Sequence, residues 1–315
     1  MWNADKKCGT RKNGLKDADK DGYENIKKIS VNPRSSQDER WNMKERDKTI
    51  IELILQTQGI DLSKYEDQFL NKIIQKRMTE TLCESEGSYY RYVEQSHVEG
   101  EILLKSLEIS YTEFFRNPLT YSVLEKIIIP SLVLGKARGN RNEIRIWSAA
   151  CAGGQEPYSL AMLLNEFSSG HGEKLNFRIF ATDQSMSQID EAQSGEYPAS
   201  TLNGLTLKRV NQWFTRQGNT YSVKPEIREL IEFSVFDLLS EEFSCPPTSI
   251  YGDFDLIVCA NLLFYYKPEQ QQKIIKKTNH CLSSNGYLIT GETERDILMK
   301  SGLQEVYPQS AIFKG

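Results

Sequence analysis

Residues 144 to 159 read IRIWSAACAGGQEPYS, and this stretch decides the fold. Ile144 to Ala149 is an apolar run suited to a buried strand, a turn of Ala and Gly follows, and Pro157 opens a helix. A strand, a small-residue turn and a helix N-terminus form the arrangement by which an α/β sheet presents backbone N–H groups to a nucleotide-like ligand. The turn has neither the G-x-G-x-x-G spacing of a dinucleotide site nor the Lys-Ser/Thr of a phosphate loop. Taken alone, it is equally the turn that any tight strand-to-helix connection needs.

The surrounding segments extend the pattern. Asn176 to Thr182 reads as a second strand, closed by Ala181-Thr182-Asp183. An acidic residue at that strand end is placed to accept hydrogen bonds from both hydroxyls of a ribose. A helix over Met186 to Ser194 stops at Gly195. Ile231 to Leu239 (IEFSVFDLL) is the expected third strand, with Asp237 and Leu238 at its end. Phe254 to Cys259 (FDLIVC) is the fourth, running to Asn261 and Leu262-Leu263-Phe264-Tyr265-Tyr266. A helix from Pro268 to Leu282 is expected to stop at Ser-Asn-Gly286, an Asn-Gly C-cap signal, before a strand over Tyr287 to Thr290. Val306 to Lys314 has the alternation of a last strand. Upstream, Ser110 to Arg116 reads SYTEFFR.

In this order the segments resemble the chemotaxis receptor methyltransferase family, the CheR type, over roughly residues 48 to 315. The T-x-F-F-R element is Thr112, Phe114, Phe115 and Arg116. The G-E-E-P-Y-S turn is Gly154-Gln155-Glu156-Pro157-Tyr158-Ser159, and A-T-D is Ala181-Thr182-Asp183. The C-R-N-x-x-x-Y-F element is Cys259-Ala260-Asn261-Leu262-Leu263-Phe264-Tyr265-Tyr266. Ser110 stands where Asn is common, Gln155 replaces a Glu and Ala260 an Arg.

The resemblance implies an α/β, Rossmann-like methyltransferase sheet of seven mostly parallel strands, with an N-terminal helical domain and a small β-subdomain insert. It implies methyl transfer from S-adenosyl-L-methionine to glutamate side chains of chemoreceptors in chemotaxis adaptation, leaving glutamate methyl esters and S-adenosylhomocysteine. The cofactor-binding positions it implies are Ser110, Thr112, Arg116, Glu156, Asp183, Asp237, Leu238, Asn261 and Leu262. Among them Glu156 would receive the α-ammonium, Asp183 the ribose hydroxyls and Thr112 the methionine end, while Asp237, Leu238, Asn261 and Leu262 would surround the adenine and the sulfonium. The implied partner is the cytoplasmic helical bundle of a chemoreceptor, met by a monomer, with no nucleic acid and no membrane insertion.

Each position has a plainer alternative. Asp183 stands where a helix N-cap would, before Gln184-Ser185, and Asn261 where a strand-to-helix turn is capped. The run Leu263 to Tyr266 cannot point wholly inward, so one ring faces the cleft, and Tyr265 is the choice by motif position. A glutamate nucleophile, with a reference pKa of about 4.3, is ionised at neutral pH and needs orientation rather than a general base. Arg116 can hold such a carboxylate bidentately; it can equally orient the cofactor carboxylate or Glu156. Arg116 and Tyr265 are therefore the candidate catalytic residues.

Composition bounds these readings. The chain has 315 residues, 39% hydrophobic, enough for about two domains at ~100–200 residues each. A net charge of −4 argues against general nucleic-acid affinity. The apolar runs, such as Ile127 to Ile129 beside Pro130, are short of a ~20-residue membrane span, and the N-terminus lacks the apolar core of a signal peptide. Six cysteines without C-x-x-C spacing and three scattered histidines point to no metal site and to a reduced, cytoplasmic protein.

Residues 1–47 are expected to be a charged, flexible extension; 1–48 holds 13 Lys/Arg against 9 Asp/Glu. Within it Asp17 to Asn25 copies the first half of a calcium loop, but Lys28 occupies the position that needs a bidentate Glu, so a solvated charged turn is the reading. Residues 48–109 are read as a helical domain and 110–315 as the cofactor domain, with the β insert at 197–231. In some family members that insert also binds a receptor peptide by strand addition; nothing in 197–231 is diagnostic of this. On the helix expected over Lys64 to Thr81, Lys72, Lys76 and Arg77 form a basic cluster, either a solvated face or one that meets an acidic receptor surface. Two other functions stay open: a methyltransferase for small molecules or other acceptors, and a cofactor-binding relative without transfer activity.

Overall fold

The computed structural model describes residues 43–108, 111–137, 143–172, 175–249 and 252–315. The Asp17 to Asn25 segment and Ser110 lie outside the described residues.

Among the described residues four α-helices come first: α1 (Met43–Gln58), α2 (Asp67–Glu80), α3 (Glu86–Gln95) and α4 (His97–Ser106). Their starts are set by side chains that satisfy orphan N–H groups. Glu66 accepts from the N–H groups of Gln68 and Phe69, Ser85 and Ser88 form a reciprocal capping box, and Ser96 caps Glu99. Leu70, Ile74 and Met78, at helical spacing, are the buried stripe of α2. Next comes α5, which begins at Pro118–Val123, passes through a π-helical turn, Leu124–Ile128, and continues as Ile129–Ala137. The stretch Pro118–Lys136 is long and apolar enough to cross a membrane by length and composition, unlike the short runs expected from the sequence. Its Leu124, Ile128, Ile129 and Leu132 are buried within the sheet's core cluster.

The strands are β1 (Ile144–Ala149), β2 (Phe177–Asp183), β3 (Glu196–Pro198), β4 (Phe214–Gln217), β5 (Thr220–Val223), β6 (Ile231–Val235), β7 (Phe254–Val258), β8 (Leu282–Ile289), β9 (Gln304–Glu305) and β10 (Ile312–Lys314). Seven form one sheet in the order β6-β2-β1-β7-β8-β10-β9, and β3-β5-β4 form a separate small sheet. The large sheet is parallel except at β10, which is antiparallel to β8 and β9. Ala149 pairs with Thr182 on adjacent strands, as the strand-turn-helix reading requires. The strand order reverses at β1, and the cleft opens beyond the C-terminal ends there.

Alternate side chains of β1 and β2 go to opposite faces. Ile144, Ile146, Phe177, Ile179 and Ala181 join one core with Leu124 and Leu160; Trp147, Ala149 and Phe180 join another with Ile54, Leu62, Tyr89 and Leu103 of the N-terminal segment. The N-terminal helices thus share a core with one face of the sheet.

Two local expectations are corrected. The helix from Pro268 ends at Cys281, and Asn285-Gly286 sits inside β8 rather than at a C-cap. The β7–β8 register shifts between Phe254 and Leu256, and a Cβ on Gly286 would lie 2.8 Å from the Phe254 carbonyl oxygen. Glycine there serves a close backbone approach at a bulge. The last strand is not continuous from Val306: β9 and β10 are separate, with left-handed Gln309 and Ala311 between them.

Candidate functional site

The turn after β1 carries three left-handed residues, Ala150 (φ 62), Ala152 (φ 45) and Gly154 (φ 90). Two non-glycine residues held there cost of order 1–3 kcal/mol each and are typical of functional turns. A Cβ on Gly154 would fall 2.8 Å from that of Ala192, so only glycine fits. The turn is tied from several sides. Cys151 N–H donates to the Thr182 carbonyl at 2.8 Å, and the Tyr197 hydroxyl of the small sheet donates to the Gly153 carbonyl at 2.6 Å.

Asp183, at the end of β2 and 8% exposed, accepts from Ala152 N–H at 2.9 Å and from Ser185 N–H at 3.0 Å. It is not the helix N-cap; Ser185 is, for the helix α6 (Met186–Ser194). As an acceptor on the cleft wall it can take hydrogen bonds from ligand hydroxyls. Burial pushes its pKa up, against the hydrogen bonds from Ser185 and Ala152. Glu156 lies in the first turn of the helix Gln155–His171 and accepts from the Ser148 hydroxyl at 2.7 Å. Loss of water pushes its pKa up to about 7; the Ser148 hydrogen bond and Arg116 oppose this, and the nearby Glu294 adds to it.

The Thr112–Arg116 segment reaches the cleft through two anchors. Phe114 packs edge-on against Tyr197 and Phe214, and Phe115, at φ 52, donates its N–H to Ser159 Oγ at 3.0 Å. Arg116 then lies with its guanidinium 5.2 Å from the Tyr111 ring centroid and donates to the Tyr111 carbonyl at 3.2 Å. On the far wall Asp237 accepts from Leu239 N–H at 2.8 Å, and Asn261, at φ 62, donates its N–H to Glu294 at 2.7 Å.

These elements line a cleft that is open to solvent. Thr112, Arg116, Glu156, Asp183, Asp237, Leu238, Asn261 and Leu262 all line it. Five lining residues carry carboxyls (Glu108, Glu113, Glu156, Asp183, Asp237), and Arg116 is the one cation among the described lining residues. Such a cleft favours a cationic ligand and leaves one place for an anion.

Tyr265 is not on the wall; Tyr266 is. The 3-10 turn Leu263–Tyr265 gives way to extended backbone at Tyr266 (ψ 151), which turns that ring inward against Tyr65 at 5.1 Å. Tyr265 instead packs edge-on against Phe69 of α2 at 4.7 Å and beside Phe264. Arg77 also departs from its expected role. Its side chain is 11% exposed and gives two hydrogen bonds, of 2.9 and 2.7 Å, to Glu99, itself 2% exposed. Lys72 and Lys76 are exposed on α2, with Lys76 3.9 Å from Glu80.

Sequence reasoning missed Glu108, Tyr266, Gln188 and Glu294. Gln188, on the first turn of α6, lines the cleft with a buried side-chain carbonyl that lacks a partner. Its only sequence signal is its closeness to Asp183. An orphaned acceptor beside Asp183 and a half-buried carboxyl at Glu156 fit a ligand that brings hydroxyl and ammonium donors, as a nucleoside joined to an amino acid does.

Residues 110–309 match the model of the CheR methyltransferase SAM-binding domain, and residues 48–107 that of the CheR methyltransferase all-alpha domain. Chemotaxis protein methyltransferase 1 of Pseudomonas aeruginosa is 32% identical over 243 residues, 76% of this chain and 85% of that one. The chemotaxis protein methyltransferase of Escherichia coli is 28% identical over 253 residues, 78% of this chain and 82% of that one. An uncharacterized 104.1 kDa protein of Rhodobacter capsulatus is 30% identical over 245 residues; the match takes in 78% of this chain and 25% of the larger protein.

Proposed function

This chain belongs to the CheR methyltransferase family, and from that premise we propose that it methylates glutamate side chains of chemoreceptors in the cytoplasm, using S-adenosylmethionine. The observation that carries the reading is one cleft that gathers Glu156, Asp183 and Arg116, a half-buried and a buried acid for a cationic nucleoside ligand and one arginine for an incoming carboxylate.

When bound, S-adenosylmethionine supplies the methyl group and, through its sulfonium, the leaving group. Glu156 receives the α-ammonium, replacing lost water with a charge partner, and Asp183 with Gln188 takes the ribose hydroxyls. Thr112 stands at the methionine end, and Asp237, Leu238, Asn261 and Leu262 enclose the remainder. Arg116 orients the receptor carboxylate so that one oxygen faces the methyl carbon. A glutamate is already ionised at neutral pH, so orientation and exclusion of water are what the site contributes. Lys72 and Lys76 extend the reading to the surface of α2, where they meet an acidic receptor helix; Arg77, held by Glu99, takes no part. The protein acts as a monomer.

The test is transfer from methyl-labelled cofactor to receptor-containing membranes. Glutamate methyl esters release the label as methanol in alkali. Label that survives alkali moves the activity to another acceptor, and no transfer despite normal cofactor binding leaves a binding protein.

A further inference from the structure

Glu294 closes the short turn Glu292–Glu294 after β8 and is fully buried. Its two oxygens accept four hydrogen bonds: from Asn261 N–H at 2.7 Å, Leu263 N–H at 2.6 Å, Gly291 N–H at 2.9 Å and the Thr290 hydroxyl at 2.8 Å. Two of these donors belong to the turn after β7 and two to the end of β8, so one carboxylate joins the adjacent strand ends at the cleft. Asn261 is left-handed, an uncommon state for a side-chain-bearing residue, and the Glu294 contacts on both sides of it hold it there. Gly291 completes the arrangement. A Cβ at that position would lie 2.5 Å from Asn261 Nδ2 and 3.0 Å from Glu294 Oε2, so the Asn261 amide lies over bare backbone.

We propose that Glu294 is a positioning residue for cofactor binding: by accepting the Asn261 and Leu263 N–H groups it sets the Asn261 turn in the shape that the ligand meets. The proposal rests on the reading of the cleft as the S-adenosylmethionine site. Both oxygens of the Glu294 carboxylate accept from donors. In Glu294→Gln, one of those oxygens becomes an NH2 group pointing at an N–H, so either Asn261 or Leu263 loses its partner. Gly291→Ala keeps the carboxylate but crowds the same turn, its Cβ falling 2.5 Å from Asn261 Nδ2 and 3.0 Å from Glu294 Oε2.

The experiment is calorimetric titration with S-adenosylhomocysteine of the full chain and of Asn261→Ala, Glu294→Gln, their double variant, Gly291→Ala and Asn261→Ala/Gly291→Ala. Turnover on receptor membranes is measured alongside while S-adenosylmethionine is varied. Each single variant should weaken binding on the order of tenfold, with the loss in KM for the cofactor and kcat little changed. The double variants should bind no more weakly than the poorer single, because the changes act through one group. Folded Glu294→Gln with unchanged affinity, or losses that add in the double variant, overturns the proposal. Should Glu294→Gln fail to fold, Gly291→Ala decides: a non-additive loss with Asn261→Ala supports it and unchanged affinity overturns it. Asn261→Ala with unchanged affinity overturns the reading of the cleft at that residue and this proposal with it. A loss confined to Asn261→Ala overturns the positioning role alone.

Discussion

Ser148, near the end of β1, donates its hydroxyl hydrogen to Glu156 Oε1 at 2.7 Å across the left-handed turn that joins strand to helix. This one hydrogen bond does not offset the loss of water, and the Glu156 pKa stays up at about 7. The free cleft therefore holds an acid poised between its two forms near neutral pH. A ligand ammonium favours the ionised form, so binding drives off a proton wherever Glu156 starts protonated.

Affinity for S-adenosylhomocysteine should accordingly rise with pH up to about 7, by at most about tenfold per unit, and level off above. Calorimetry in buffers of different ionisation enthalpy should register proton release at pH 6 and little at pH 8. The sign for stability is opposite. A carboxyl whose folded pKa lies above its unfolded value favours the fold below about 4.5, and that contribution is lost as pH rises through about 7. The rise in Tm on adding ligand should thus be larger at pH 8 than at pH 6. In Glu156→Gln the pH dependence of binding should vanish along with most of the affinity.

Asp183→Ala should weaken cofactor binding by about 1.5–3 kcal/mol, the range for hydrogen bonds to a charged group. Since Asp183 also accepts from Ala152 and Ser185, Asp183→Asn should keep more of the fold's stability than the alanine variant while still losing affinity. Titration of both variants checks this. Wild-type affinity in Asp183→Ala would put the ribose elsewhere.

What was legible in the chain follows from how local each signal is. The turn from Ala149 to Gly154 and the acid at Asp183 announce themselves because small residues and a strand-end carboxyl are written in a few consecutive positions. The Glu294 contact with Asn261 spans 33 residues and the Arg77 contact with Glu99 spans 22, so neither has a local signature. Arg77 read as part of a basic face because its partner sits on another helix. In Leu263-Phe264-Tyr265-Tyr266 the composition requires an inward ring, but which one depends on where the 3-10 turn ends. Asn285-Gly286 looks like a helix stop, and only the approach of Phe254 reveals why glycine is there.

The two tyrosines should separate binding from recognition. Tyr266→Leu removes a ring from the cleft wall and should weaken S-adenosylhomocysteine binding by on the order of tenfold, since a buried aromatic contributes a few kcal/mol of packing shared with its neighbours. Tyr265→Leu should leave that affinity within about twofold, because its ring rests on Phe69 rather than on the cleft. Its effect should appear in turnover on the receptor, as Phe69 belongs to the helix that bears Lys72 and Lys76. Equal losses of cofactor affinity in the two variants would contradict the assignment.

Along α2, charge and burial divide the basic residues into two kinds. Lys72→Glu and Lys76→Glu alter exposed groups, so Tm should stay within about 1 °C, each changing stability by less than about 0.5 kcal/mol. Both should raise KM for the receptor, and the increase should shrink as salt is added, because exposed charges are screened beyond ~10 Å at 0.1 M. Among the described residues, Arg77→Ala leaves buried Glu99 with the Tyr89 hydroxyl, 2.9 Å away, as its side-chain partner. Removing one member of such a pair typically costs about 3–5 kcal/mol, so this variant should unfold many degrees earlier. At a temperature where it remains folded, its KM for the receptor should match wild type. A stable Arg77→Ala with impaired receptor methylation would return that arginine to the recognition surface and show that Glu99 does not need it.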